Sequence, residues 1–299
     1  MKSVSIAVPT LGRLFHLKSC LEALAKQSYS QVEILVIDDG PNPSVVEEMV
    51  RSLGARYVRG PGTGVVPAYN LGLTEATGDI VAFTDDDAVP EEDWIEHLVS
   101  GYAGKVGGVG GTVQPADANP GEHPLFPTHI TQQGRFGGWA RPSGLSLEVD
   151  HLRGANMSFS RKSISATGLF DWNYEGDGYK FESDYCVRMR RMGYKIMFDP
   201  EAVVIHNEST VRLVSRGRTP SKAYYRARNN TYFALKNFMF GKNSLALGAS
   251  TAKGALRTFR SLVSRRDVTY ACGLAGLIVG ISTYALNELQ GDSLSSIGF

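Results

Sequence analysis

Three consecutive carboxylates, Asp85, Asp86 and Asp87, follow Thr84 and the apolar run Asp79-Ile80-Val81-Ala82-Phe83. Like charges packed this closely repel unless something cationic sits among them. A hard divalent ion, Mg2+ or Mn2+, meets that need, because it takes oxygen ligands and is often shared with substrate phosphates. Charge runs usually mark a solvated loop. Here an apolar strand precedes the acids, and Val89-Pro90-Glu91-Glu92-Asp93-Trp94 after them reads as a helix start with Pro near its first turn. Carboxylates at the carboxyl end of a strand in an α/β sheet sit where ligands bind.

Three further positions carry chemical potential. Asp38-Asp39-Gly40 ends an earlier strand. An ordinary turn uses the same residue types, but an acid there can also hold a nucleotide base or ribose. Glu182 and Asp184 open a helical stretch whose bases come last, the order that complements a helix dipole. A carboxylate just after Gly176-Asp177-Gly178 is equally suited to act as a general base if the fold aims it into a cleft. His206 ends the strand Pro200–Ile205 and is a plausible further ligand, since neutral imidazole suits Mn2+-like ions.

The elements that must position these groups alternate. Val4–Val8, Val32–Ile37, Ala55–Arg59 and Asp79–Phe83 read as strands. Leu14–Ala25, Pro43–Leu53, Val66–Glu75 and Glu91–Tyr102 carry helical spacing between and after them. This rhythm predicts a Rossmann-like, mostly parallel sheet flanked by helices. Val106–Val113 is β-like, and Pro115–Gly144 reads as an extended loop near the active site. A strand at Met157–Ser160, a helix at Glu182–Met192 and a strand at Lys195–Ile205 follow. Helical patterning resumes over Ser221–Phe240 and Ser250–Leu286.

The net charge of +1 conceals an asymmetry. Residues 209–266 hold 13 Lys and Arg and no Asp or Glu, which leaves 18 bases against 27 acids up to Glu208. An acidic body with a basic segment (Arg212, Arg216, Arg218, Lys222, Arg226, Arg228) points to an anionic surface or ligand at that segment. Nucleic acid is not expected as a partner, because no recognition motif is present and the acidic body would repel a polyanion. Tyr270–Leu286 is uncharged and apolar but slightly short for a membrane span, which needs about 20 residues. With Gly273, Gly276 and Gly280 inside it and Arg257, Arg260, Arg265 and Arg266 upstream, it fits an interfacial helix, with a spanning helix and an ordinary core helix as the alternatives. Cys20, Cys186 and Cys272 show no metal or redox spacing and read as buried free thiols. The chain enters a strand pattern directly, without a signal-peptide core, so the body is expected in the cytosol.

Taken together, these residues resemble family 2 glycosyltransferases of the GT-A fold. The resemblance runs from about Val4 to Asn207. It rests on Val8-Pro9-Thr10-Leu11-Gly12-Arg13, Val36-Ile37-Asp38-Asp39-Gly40, the stretch Ala76–Asp87, Arg153-Gly154-Ala155-Asn156-Met157-Ser158-Phe159-Ser160-Arg161, Glu182–Arg188 and the strand ending in His206. It implies that Pro9, Thr10, Arg13, Asp39, Asp85 and Asp86 bind a nucleotide-sugar. Asp85, Asp87 and His206 would hold Mg2+ or Mn2+. Glu182, with Asp184 beside it, would supply the base for a single displacement that inverts the anomeric centre. Trp139 and Asn156 would meet the acceptor. Two departures stand out: many relatives read Ala-Arg-Asn where this chain has Ala68-Tyr69-Asn70, and the base element, often Glu-Asp, here reads Phe181-Glu182.

The expected organisation is a GT-A domain over residues 1–208, with a nucleotide-binding half (1–104) and an acceptor-binding half (105–208). A basic, helical, membrane-associated region follows over residues 209–299. The expected activity is transfer from a nucleotide-diphosphate sugar to a glycan or lipid-linked acceptor at the cytoplasmic face of the membrane, by a peripheral or monotopic protein. Two alternatives compete. Asp85-x-Asp87 also fits a haloacid-dehalogenase-like phosphatase, although that leaves Asp38-Asp39 and the basic segment unexplained. A catalytically inactive, membrane-attached binding protein would be favoured by a missing base or broken acid cluster.

Overall fold

A computed structural model of the chain describes residues 1–118, 125–131, 134–140, 144–207, 219–238 and 268–295. The chain divides into two compact units. Met1–His129, Gly137–Asp171 and Glu182–Arg212 form the first, and Ile130–Phe136, Trp172–Phe181 and Leu213–Phe299 the second.

In the first unit the alternating pattern forms β1 (Val4–Thr10), α1 (Leu14–Leu24), β2 (Val32–Asp38), α2 (Pro43–Ser52), β3 (Arg56–Arg59), α3 (Val65–Glu75) and β4 (Ile80–Phe83). Then come β5 (Ala88–Pro90), α4 (Trp94–Ser100) and β6 (Val106–Pro115). The sheet runs β3-β2-β1-β4-β10-β6-β11-β5, where β10 is Met157–Ser160 and β11 is Lys195–His206, and β9 (Leu147–Val149) pairs with β11. β1, β2, β3, β4, β6 and β11 share one direction, and only β5, β9 and β10 oppose it. The core on which it rests comes from both periodicities: Ile6, Val8, Val36 and Ala82 from strands, Leu17, Leu21, Val46 and Trp94 from helices. Each fully buried large aliphatic side chain stabilises the fold by roughly 1.5–3 kcal/mol.

The segment after the acids departs from expectation. Pro90 does not open a helix; it closes β5, which among the described residues pairs with β11 alone, at the end of the sheet. Proline lacks an N–H, so an edge strand tolerates it where an interior one would not. The helix starts later, at Trp94. The Pro115–Gly144 stretch, expected as loop, contains β7 (Phe126–Ile130) and β8 (Phe136–Ala140), paired as a separate two-stranded sheet. The helix α5 (Arg161–Thr167) was not foreseen, and the expected helix over Glu182–Met192 is α6 (Phe181–Arg191).

The second unit contains α7 (Pro220–Phe238) and α8 (Val268–Ser295), which pack on each other. Gly276 and Gly280 serve this contact, since a Cβ on either would run into the backbone carbonyl of Tyr224 or Arg228. Two expected surface cations are engaged inside the unit. Arg228 is buried and pairs with Glu175 at 2.6 Å, and Arg226 pairs with Asp177 at 3.6 Å. Acids that precede the basic segment in sequence thus balance part of its charge. Gly176 is explained by the Tyr225 ring pressed against it rather than by access for a substrate. Arg212, Arg216, Arg218, Arg257, Arg260, Arg265 and Arg266 lie outside the described residues. Among the described residues no helix is long and apolar enough to cross a membrane.

Candidate active site

The acid cluster leaves β4 at the carboxyl edge of the sheet, and β5 then turns back to pair with β11. In that register His206 faces Ala88, and the Asn207 N–H donates to the Asp87 carbonyl at 2.8 Å. This pairing carries His206 to the acids: its Nε2 lies 3.3 Å from Asp85 Oδ2 and 3.2 Å from Asp87 Oδ1. One ligand atom from each of Asp85, Asp87 and His206 falls within 4.8 Å of the others.

The charges explain one another. Burial works against ionised Asp87, yet His206 and Arg13 outweigh it and hold the carboxyl down at about 2. Burial likewise opposes charge on His206, but Asp85 and Asp87 push it up to about 9. The three side chains therefore form a pocket that favours a positive charge. His206 Nε2 is buried and has no well-aligned hydrogen-bond partner. Two carboxylates with one imidazole are a donor set that Mn2+ or Mg2+ accepts. These residues fit a divalent ion.

Asp86 points elsewhere. It is fully buried, accepts from Thr10 Oγ1 at 2.6 Å and is bridged by the Arg13 guanidinium, whose Nη1 also reaches Asp87 at 2.8 Å. Burial raises the Asp86 pKa despite these bonds. Arg13 is 43% exposed, so it closes over the acids while keeping one side toward solvent. Pro9 and Thr10 end β1 beside Ile37 and Asp38. Asp38 is an internal brace, accepting from the Gly40 N–H, the Tyr57 hydroxyl and Arg59. Asp39, partly exposed, accepts the Gly62 N–H at 2.7 Å.

Glu182 stands partly exposed in the first turn of α6. Its charge acts on the Tyr69 phenol, whose hydroxyl donates to Asp85 Oδ1 at 3.1 Å. Glu182 and Asp85, far apart in sequence, thus both act on the same phenol. Tyr69 entered the sequence reading only as a missing arginine, and no local pattern marks its contact with Asp85.

Two predicted site residues are corrected. Asp184 is fully buried and paired with Arg188 at 3.0 Å, and Arg188 also donates to the carbonyls of Thr167 and Leu169. It anchors α6 and does not face a substrate. Asn156, expected at the acceptor, is fully buried. Its amide donates to the carbonyls of Thr112 and Ala202, and its oxygen accepts from Trp94 Nε1. Trp139, on β8, is 57% exposed and remains available to a ligand.

With this geometry in view, the family follows. The model for "Glycosyl transferase family 2" matches residues 5–166, more than half of the chain, and the chain belongs to that family. It is 28% identical over 217 residues to the glucosyl-dolichyl phosphate glucuronosyltransferase of Haloferax volcanii, covering 68% of each chain. Among solved structures it resembles the Pyrobaculum calidifontis mannosyltransferase PcManGT in complex with GDP-Man and Mn2+. That match has a TM-score of 0.57 and 20% identity over 96% of this chain and 88% of that one. It also resembles GalNAc-T7 with UDP, GalNAc and Mn2+, with a TM-score of 0.58 and 15% identity over 77% and 51%. These likenesses show the GT-A fold. The protein is a glycosyltransferase, which sets aside the phosphatase and inactive-binder alternatives.

Proposed function

We propose that the protein is a metal-dependent, inverting transferase that moves a sugar from a nucleotide-diphosphate donor to a lipid-linked acceptor. The observation that carries this reading is the convergence of Asp85, Asp87 and His206 at the carboxyl edge of the sheet. Pro9, Thr10 and Asp39 flank the nucleotide at the ends of β1 and β2. Arg13, fixed by Asp86 and Asp87, offers its exposed side to the diphosphate. Asp85, Asp87 and His206 would hold Mn2+ or Mg2+, with the imidazole favouring Mn2+. When bound, the ion supplies charge neutralisation for the leaving diphosphate.

Glu182 takes the proton of the acceptor hydroxyl as that oxygen bonds to the anomeric carbon. The bond from that carbon to the diphosphate oxygen breaks, the nucleoside diphosphate leaves with the electron pair, and the configuration inverts. The lipid-linked acceptor is supported by the relative named for a glucosyl-dolichyl phosphate substrate. It is supported also by exposed Ile278, Ile281 and Leu286 on α8, an apolar face suited to lying against the cytoplasmic side of a membrane.

Calorimetric titration of UDP, GDP and dTDP, with and without Mn2+, tests the site. Metal-dependent binding of one nucleotide, abolished in Asp87→Ala, is expected, and no binding under any condition refutes the reading. For the surface, Ile278→Asp combined with Ile281→Asp should reduce flotation with anionic vesicles severalfold. Undiminished flotation would remove α8 from membrane contact.

A further inference from the structure

Tyr69 occupies a position for which the transfer reaction has so far given no role. It lies on α3, and its ring is 4% exposed. The ring stacks on Phe83 at 4.9 Å and 24° and meets Phe170 edge-on at 6.0 Å. Phe170 is itself pinned by the next residue of α3: Asn70 donates to the Phe170 carbonyl at 3.0 Å and accepts its N–H at 2.8 Å. Aromatic packing on two sides leaves the ring little freedom, so the direction of its hydroxyl is set by the fold.

That hydroxyl donates to Asp85 Oδ1 at 3.1 Å, while the other oxygen of the same carboxylate lies 3.3 Å from His206 Nε2. The two oxygens of Asp85 therefore have divided duties: one is held by Tyr69 and the other is turned into the metal pocket. Asp85 is the most exposed of the three acids, its side chain 36% accessible against 1% for Asp86 and 9% for Asp87. Asp86 and Asp87 are fixed by Arg13, and Thr10 adds a bond to Asp86. Arg13 does not reach Asp85 by any of these bonds, so the phenol is the brace that keeps its carboxylate from swinging toward solvent.

We propose that Tyr69 is a positioning residue of this glycosyltransferase, orienting the Asp85 carboxylate for the divalent ion. This rests on the metal-dependent transfer reading above. A phenol held in this way fixes the Asp85 carboxylate without adding a charge of its own. Hydrogen bonds to metal-ligating carboxylates are typically worth about 10–100-fold in metal affinity.

Tyr69→Phe separates the hydroxyl from the ring, because the packing on Phe83 and Phe170 survives. Mn2+ affinity of wild type and variant is measured by electron paramagnetic resonance of the free ion, alongside kcat, donor KM at saturating Mn2+ and the thermal midpoint. The expected result is a loss of at least about tenfold in Mn2+ affinity and a lower kcat, with donor KM and midpoint little changed. A purely structural role would move the midpoint and leave Mn2+ affinity alone. Equal Mn2+ binding by the two proteins overturns the role of Tyr69 while leaving the transferase reading intact. Failure of the wild type itself to bind Mn2+ overturns both.

If Tyr69→Phe does not fold, 3-fluorotyrosine is placed at position 69 of the otherwise unaltered chain and followed by fluorine NMR during Mg2+ titration. A resonance that shifts and saturates with the ion supports the proposal. A resonance that stays fixed through saturating Mg2+ overturns it.

Discussion

Asn156 provides the sharpest test of how burial reassigns a polar residue. Its side chain spans three elements of the first unit: the Trp94 indole of α4, the Thr112 carbonyl of β6 at 2.9 Å and the Ala202 carbonyl of β11 at 2.8 Å. All of this happens at 0% exposure. Asn156→Leu keeps nearly the same shape but removes every bond, stranding one buried N–H and weakening two buried carbonyls. An unsatisfied buried polar group costs about 1–3 kcal/mol, so the three together should cost about 3–6 kcal/mol. Typical domains are stable by only about 5–15 kcal/mol. In a domain near 200 residues each kcal/mol moves the thermal midpoint by about 2–4 °C, which predicts a fall of roughly 6–24 °C. Thermal unfolding monitored by tryptophan fluorescence, together with acceptor KM at a temperature where the variant stays folded, reads both quantities. A midpoint within about 2 °C of wild type, accompanied by a large rise in acceptor KM, would refute the reasoning and return Asn156 to the acceptor site.

Two other expectations concern Glu182 and Glu33. Glu182→Gln should lower kcat by about 10²–10⁴-fold while Mn2+-dependent nucleotide binding stays unchanged, and unaltered turnover would remove Glu182 from the mechanism. Glu33 is partly buried, which alone would raise its pKa, but bonds from Ser5 and Thr77 and the nearby charge of Arg56 lower it overall. A carboxylate with a depressed folded pKa contributes stability above its unfolded value of about 4.3 and loses it as pH falls through the folded value. The stability gap between wild type and Glu33→Gln in denaturant titrations should therefore be full at pH 7 and shrink below about pH 4, and a gap independent of pH would contradict this account.

Much of the architecture was legible from residue order. β1, β2 and β4 and the helices between them follow from period-2 and period-3.6 apolar patterns, which are local properties of the chain. The element boundaries fall within a few residues of where the patterns stop. Pro90 misled for an intelligible reason: proline suits both a first helical turn and an edge strand, and only the pairing of β5 with β11 selects the second. The small sheet of β7 and β8 was hidden because its strands are short and set among glycines and prolines.

By itself the sequence placed three adjacent acids at a strand end, where their mutual repulsion favours a cation once they are drawn out of solvent. It also determined the helix-first placement of Glu182, because α6 begins where its local pattern begins. Only the tertiary structure decided which polar side chains would face the site. Asp184 carries the same side chain as Asp85, and Asn156 is polar like Thr10, yet long-range packing spends them on Arg188 and on three buried backbone and indole groups. His206 joins Asp85 and Asp87 through the register of an antiparallel pair, and Tyr69 reaches Asp85 because Phe83 and Phe170 fix its ring. Likewise Arg226 and Arg228 find Glu175 and Asp177 across a wide gap in sequence. Secondary structure is written in spacing along the chain. A site depends on which buried groups find partners in space, and spacing carries no record of that.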